Sequence, residues 1–332
     1  MSFDFDAAVQ APFRMQPGLR RLPEGAAQLT PLAPGSRHQR EKLAVLSAFA
    51  DQHLCAVPGF DAAPALDALC RHAANEHPAA WAWDGERAHA LQLGVTVTPA
   101  GDVQQLQTGS FGLGDEVGRC LLGLPAAWRL AGLLGLAFAE DFAIVDGPSG
   151  TLPWLAVALP SHWAPAAKLG LHFTQVHAPV ADNALLLRAG DHLLRLVTGA
   201  ERWERFVWTI TDHPRLHAHP ARVDPKRWRH TLTSGASGAT DASGAMGRMG
   251  ATGAWWRTER QTFIPVLQTG QAVFTIHIEV QPLEQAANTP QRAAALHAAL
   301  ATMSPAVLHY RGLQTVRDEL LAWLASQVAR SA

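Results

Sequence analysis

Histidines and arginines are the side chains of this sequence whose types and spacing bear most directly on chemistry. His177, in Val176-His177-Ala178-Pro179-Val180, follows an apolar stretch that reads as a strand from Leu171 to Val176. Alternation along that strand puts Leu171, Phe173, Gln175 and His177 on one side. Pro179 then restricts Ala178 to extended geometry and ends regular pairing. An imidazole at a stiff strand terminus beside an apolar surface is a way to present one nitrogen to a metal centre. A core histidine hydrogen-bonded to backbone accounts for the same residues, and on spacing alone it is favoured. The run Arg257-Thr258-Glu259-Arg260-Gln261-Thr262 enters an apolar strand with Arg257, Glu259 and Gln261 on one face and Arg260 on the other. It reads equally as an exposed strand end with weak ion pairs or as guanidinium forks that hold carboxylates.

Other clusters carry less. His213-Pro214-Arg215-Leu216-His217-Ala218-His219-Pro220 has histidines at alternate positions, but two prolines and no partnering acid or cysteine make it a solvated loop. Gly109-Ser110-Phe111-Gly112-Leu113-Gly114 has glycines at the wrong spacing for a phosphate-binding loop, and no Gly-x-Ser-x-Gly or His-Glu-x-x-His occurs. Cys55, Cys70 and Cys120 are an odd, scattered set that reads as buried thiols.

The elements that must position these residues can be placed from pattern. Residues 1–36 are rich in proline and glycine and should lie as an extended arm over the surface. Amphipathic helices follow over Glu41 to Leu54 and from Asp61 through Cys70. Leu91 to Thr98 alternates as a half-buried strand. Cys120 to Ala139 suits a buried helix better than a membrane span, because Pro125 and Arg129 interrupt it. Phe142 to Val145 and Leu152 to Leu159 flank the turn cluster Asp146-Gly147-Pro148-Ser149-Gly150 and should form a hairpin. Arg205 to Thr211, Thr262 to Leu267 and Ala272 to Val280 supply further strands. Residues 234–250, almost only Ser, Gly, Ala, Thr and Met, read as a flexible insertion within one domain spanning 1–332. Thr289 with Pro290 starts a C-terminal helix, and Thr315 with Asp318 resembles a capping box for another. Helices first, antiparallel strands in the middle and helices last imply an α+β fold.

Composition narrows the partners. At 332 residues and 48% apolar content the chain has ample material for a core. A net charge of −1 with no basic run gives no electrostatic case for nucleic acid or an anionic membrane. Acids near the start, Asp4 and Asp6, do not suit a secretory signal, so a cytoplasmic location is expected.

The series Ala139-Glu140-Asp141-Phe142, Pro160-Ser161-x-Trp163, Lys168-Leu169-Gly170, Val176-His177-Ala178-Pro179-Val180, Arg257-x-Glu259-Arg260-Gln261-Thr262 and His309-Tyr310-Arg311-Gly312, with Pro12-Phe13-Arg14-Met15 near the start, resembles the haem-dependent oxidative N-demethylase alpha subunit family. The resemblance implies a PAS-like α+β fold that holds haem b and oxidises a small secondary amine with O2. Electrons would come from a separate flavin and iron–sulfur NADPH reductase. It implies His177 as the axial iron ligand and Lys168, Arg205, Arg257 and Arg260 as candidate propionate or electrostatic partners, with Glu259 a candidate catalytic group. Two departures stand out: Val207 falls where the family commonly has Asn, and Ile264 falls in a segment where it commonly has arginines. A haem-binding sensory protein and a haem-free interaction protein are the alternatives that the same scaffold allows.

Overall fold

A computed structural model of the chain describes residues 3–109, 111–224, 228 and 253–329. Its strands are β1 (Arg20–Arg21), β2 (Leu54–Ala56), β3 (Trp81–Trp83), β4 (Ala88–Ala90), β5 (Val95–Val97), β6 (Val103–Gln105), β7 (Asp141–Asp146), β8 (Thr151–Ala156), β9 (Trp203–Thr211), β10 (Trp255–Val266) and β11 (Gln271–Pro282). Seven of them form one antiparallel sheet in the order β1-β9-β10-β11-β7-β8-β2, and the other four form a small meander, β3-β4-β5-β6. The helices are α1 (Phe5–Ala8), α2 (Arg37–His53), α3 (Ala63–Glu76), α4 (Glu116–Gly123), α5 (Ala126–Ala137), α6 (Phe173–His177), α7 (Ala184–Arg188), α8 (Gly190–Val197), α9 (Leu283–Ala286), α10 (Pro290–Ala301), α11 (Pro305–Tyr310) and α12 (Arg317–Ala329). The fold is therefore α+β, with the insertion expected at 234–250 lying outside the described residues.

Alternation along the strands gives the large sheet two different faces. Phe142, Ile144, Ile264, Val266 and Val273 point to one side and pack with Leu69, Leu133 and Leu134 of α3 and α5 in the largest core cluster. Ala143, Leu155, Phe274 and Ile276 point to the other side, where the segment between β8 and β9, carrying α6, α7 and α8, crosses the sheet. A separate cluster joins α9 to α12 with Trp208 and Trp256.

Both long hairpins form where turn chemistry places them. β7 and β8 pair with a register shift between Ile144 and Asp146, and Gly150 closes their turn at φ 68°. β10 and β11 pair from Trp255↔Pro282 to Val266↔Gln271. Thr289 caps α10 by accepting from the Arg292 amide at 3.2 Å, with Pro290 at the first helical position.

Several expectations are corrected. Cys120 to Ala139 is not one helix, since Leu124-Pro125 separates α4 from α5; proline cannot donate the hydrogen bond that would continue the first. Leu91 to Gly94 is a turn and only Val95–Val97 is strand, because Gly94 sits at φ 62° against Gln107. α12 begins at Arg317, with the Val316 carbonyl accepting from Leu320, so Thr315 lies too early to cap it. The N-terminal arm is not wholly irregular or superficial: Asp4 caps α1, Arg20–Arg21 adds an edge strand, and Gln28 and Leu29 are buried. Leu171 to Val176 is not a strand. The His172 side chain accepts from the Thr174 amide while Gln175 reaches back to the His172 amide, and this capping box starts the helix α6. Ala178 accordingly keeps helical angles, φ −55° and ψ −37°, in spite of Pro179.

Candidate functional site

The sheet face that carries Ala143 and Leu155 floors a cavity of about 340 Å³, roofed by α6, α7 and the loop after β8. That volume is within the range of cofactor and small-molecule sites, about 300–1,000 Å³. Strands β9 and β10 contribute the polar part of the floor through alternation: Arg205 and Thr209 from one, on either side of the apolar Val207, and Arg257, Glu259 and Gln261 from the other. Arg205 pairs with Gln261 and Val207 with Glu259 across the ladder, so these side chains stand side by side.

His177 reaches the cavity from the last turn of α6. Its Nδ1 lies 2.7 Å from the Phe173 carbonyl, and its ring centroid is 4.3 Å from that of Phe173. A carbonyl can only accept, so Nδ1 carries the proton and Nε2 keeps its lone pair. Burial pushes the pKa down to about 4 against the Phe173 hydrogen bond, and the charges of Arg205 and Lys168 add to the effect. The ring is neutral at ordinary pH, as a metal ligand must be.

The basic residues around it differ in what they have left to offer. Lys168 lines the cavity and donates to the Val176 carbonyl at 2.8 Å, a contact that ties the loop to α6. Arg205 is half-buried in the floor, and its Nε, sealed from solvent, has no hydrogen-bond partner among the described residues. Burial lowers its pKa, with Glu259 and Tyr310 opposing. Arg257 lines the cavity too, but its guanidinium donates to Ser161 Oγ at 2.8 Å and to the carbonyls of Arg215, Leu216 and Pro160 at 2.9, 2.7 and 3.2 Å. At 1% exposure it is not the end of an exposed strand, as charge density suggests, but the clamp that holds two loops on the sheet. Glu259 accepts from Gln261 Nε2 and is the one carboxylate among the described lining residues.

Arg260 falls on the opposite face, as alternation requires. It donates to Glu204 at 3.0 Å and to the Ala27 carbonyl at 3.0 Å, and it does not line the cavity. The two departures from the family pattern also part company. Val207 lines the cavity, whereas Ile264 is in the core on the other face, packed with Val266 and Val273.

Three lining residues carry no role that spacing alone assigns. Tyr310, the chain's single tyrosine, and Arg311 enter from the end of α11. The Arg311 guanidinium lies 4.7 Å above the Phe13 ring and 5.2 Å above Trp208, and donates to the Trp208 carbonyl. His162 enters from the loop after β8. Their motifs, His309 to Gly312 and Pro160 to Trp163, are visible in the sequence, but nothing in one chain tells which face of the sheet they reach.

The histidine-rich loop is only partly solvated, with Pro214, Arg215 and Pro220 exposed. His219 is buried, and His217 Nε2 lies 3.2 Å from Nε2 of His53, whose Nδ1 donates to the Val157 carbonyl at 2.8 Å. An imidazole-to-imidazole hydrogen bond explains that spacing, with His53 Nε2 as acceptor. Elsewhere, the ligand atoms of His38, His277 and Glu279 lie within 4.8 Å of one another. His277, however, faces Glu140 Oε1 and Glu279 Oε1 at 3.1 Å each, and these carboxylates outweigh its burial and raise its pKa to about 9. As an imidazolium it has no lone pair for a metal. The Glu140 contact is an ion pair off hydrogen-bond alignment, while the Glu279 contact is an aligned hydrogen bond.

No helix among the described residues is long and apolar enough to cross a membrane. The family model for haem-dependent oxidative N-demethylase, alpha subunit-like proteins matches residues 125–321, which is 197 of the chain's 332 residues. That span contains β7 to β11, and with them α6, α7 and both polar strands of the floor. Matched over more than half its length and through the whole cavity floor, the chain belongs to the haem-dependent oxidative N-demethylase, alpha subunit-like family.

Proposed function

We propose that this cavity holds haem b with His177 as the axial ligand, and that the chain is the haem subunit of an oxidative N-demethylase acting on a small secondary amine. The observation that carries the reading is the state of His177: a neutral ring whose Nδ1–H is committed to the Phe173 carbonyl and whose Nε2 lone pair is left for iron. The donor set around it fits the group. Arg205, half-buried with an unpartnered Nε, suits a propionate carboxylate, and Lys168 is near enough that both charges act on His177. Apolar lining from Val145, Leu155, Phe263 and Ile276 suits the porphyrin faces.

When bound, haem supplies the site at which O2 is bound and reduced. The overall reaction takes a secondary N-methylamine, O2, two electrons and two protons to a primary amine, formaldehyde and water. This chain's residues bind and orient. His177 anchors the group, Arg205 and Lys168 neutralise its carboxylates, and Glu259 is the acid that an incoming alkylammonium meets. The electrons come from a separate flavin and iron–sulfur reductase that uses NADPH, in keeping with an alpha-subunit family.

Protein expressed with a haem supply should show a Soret band that His177→Ala abolishes or shifts. With a reductase present, NADPH-dependent formaldehyde release from secondary amines should follow. A colourless protein that cannot be reconstituted would overturn the reading at its first step.

A further inference from the structure

We propose that His162 is a second functional histidine of this cavity, donating a hydrogen bond from its ring to the small ligand that binds beside the haem. The inference rests on the haem reading above and concerns a residue that the motif spacing leaves open.

The backbone gives the first argument. Among the described residues only His162 and Asp182 are non-glycine residues with positive φ, and His162 has φ 63°. A bulky side chain in the left-handed region persists only where its surroundings over-determine it, and such residues cluster at ligand sites. The surroundings here are explicit. The His162 amide donates to the Ala218 carbonyl at 2.8 Å, and the neighbouring Ser161 Oγ accepts from Arg257 Nε at 2.8 Å. The clamp formed by Arg257 thus fixes the residue beside His162 and aims its ring into the cavity it lines.

The ring gives the second argument. Its Nδ1 is sealed from solvent without a hydrogen-bond partner, a condition that calls for an explanation wherever a native fold tolerates it. The His213 ring stands edge-on to it at 5.8 Å between centroids. Burial first, then the charge of Arg257 and the neighbouring His213, hold the imidazole neutral, with its pKa pushed down to about 3. A neutral ring has a single N–H. A sealed N–H without an acceptor is less tolerable than a sealed lone pair, so the proton belongs on Nε2. That leaves one donor on the part of the ring not sealed off. Lys168, Arg257 and Gln261 already donate to partners within the chain, Glu259 can only accept, and Arg205 is the group assigned above to a propionate; the hydroxyls of Thr209 and Tyr310 are further donors in the lining. His162 is therefore a donor with nothing yet to bind, in a cavity whose occupant binds an oxygen-derived ligand.

The test uses the ferric holoprotein and fluoride, a small haem ligand whose affinity depends on hydrogen-bond donation, followed by absorption titration. His162→Gly removes the ring at a position whose φ suits glycine, so folding is spared. It should weaken fluoride binding about ten- to hundredfold, while haem content and the fluoride-free Soret band stay as in the parent. His162→Gln, which restores an N–H donor, should recover much of the loss. Equal fluoride affinity in the parent and His162→Gly overturns the inference. So does a low-spin six-coordinate parent that becomes high-spin in His162→Gly, since the ring would then be binding iron. A parent that takes up no haem overturns the haem reading itself, an outcome distinct from both.

Discussion

His177 and His277 are both largely enclosed by the protein, and they differ in what the fold has left undone. His277, on β11, faces a carboxylate with each nitrogen, Glu140 on one side and Glu279 on the other. Glu140 in turn accepts from the Thr30 amide at 2.9 Å, and its neighbour Asp141 pairs with the fully buried Lys42 at 3.1 Å. Every charge there has a partner inside the chain, and the cluster staples the N-terminal arm and α2 to the sheet. His177 has one nitrogen engaged and one idle, beside an arginine with an unpartnered Nε. Burial of a polar group is expensive unless it is bonded, so an incomplete set in one place, next to a complete one elsewhere, marks where a ligand completes the structure.

The contrast can be broken most directly by removing the idle nitrogen. His177→Ala should abolish haem retention, read as loss of the Soret band after gel filtration, while circular dichroism stays that of a folded chain. Disturbing the complete set should do the opposite. Lys42→Met leaves Asp141 buried without its cation and should lower stability by about 3–5 kcal/mol in urea unfolding, yet leave the Soret position of bound haem unchanged. The two histidines should also divide the pH axis. The folded state raises the His277 pKa to about 9, so its contribution is complete below the unfolded value, near 6.5, and is lost as pH rises through 9. The loss should be on the order of 2–3 kcal/mol, since Glu279 is half exposed, and absent in His277→Gln. His177, with its pKa lowered to about 4, works in reverse and favours unfolding as pH falls from about 6.5 toward 4. Smallest is the arginine comparison: Arg205→Ala should weaken haem affinity about tenfold, and Arg260→Ala, on the other face, not at all. Equal losses from the two variants would refute the assignment of faces to function.

Some of this arrangement is legible in one sequence. The turn cluster at Asp146 to Gly150 dictates the first hairpin, and alternation from Arg257 to Gln261 correctly separates Arg257 and Glu259 from Arg260. His177 is singled out for the right chemistry through the wrong geometry. Its approach to the cavity depends on a helix started by the side chain of His172, a residue outside the usual capping set, so no propensity announces it. The stapled cluster is invisible for a different reason. Lys42 meets Asp141, and Thr30 meets Glu140, across gaps of about a hundred residues, and no periodicity in a single chain registers such pairs. Nor can spacing reveal that Arg257 is fully engaged by loop carbonyls while Arg205 is not.

The cavity's floor and roof are built from unequal materials. Strands β10 and β11 run twelve residues each in a continuous ladder, whereas α6 and α7 of the roof have five residues each. Isolated helices below about 12–15 residues do not hold together in water, so these two depend on the surface they cover. Under the proposed function part of that surface belongs to the cofactor, which becomes a piece of core delivered from outside the chain. Cofactor supply then governs how long the polypeptide survives proteases in the cell, with residues 173–188 the first to be cut when the supply fails.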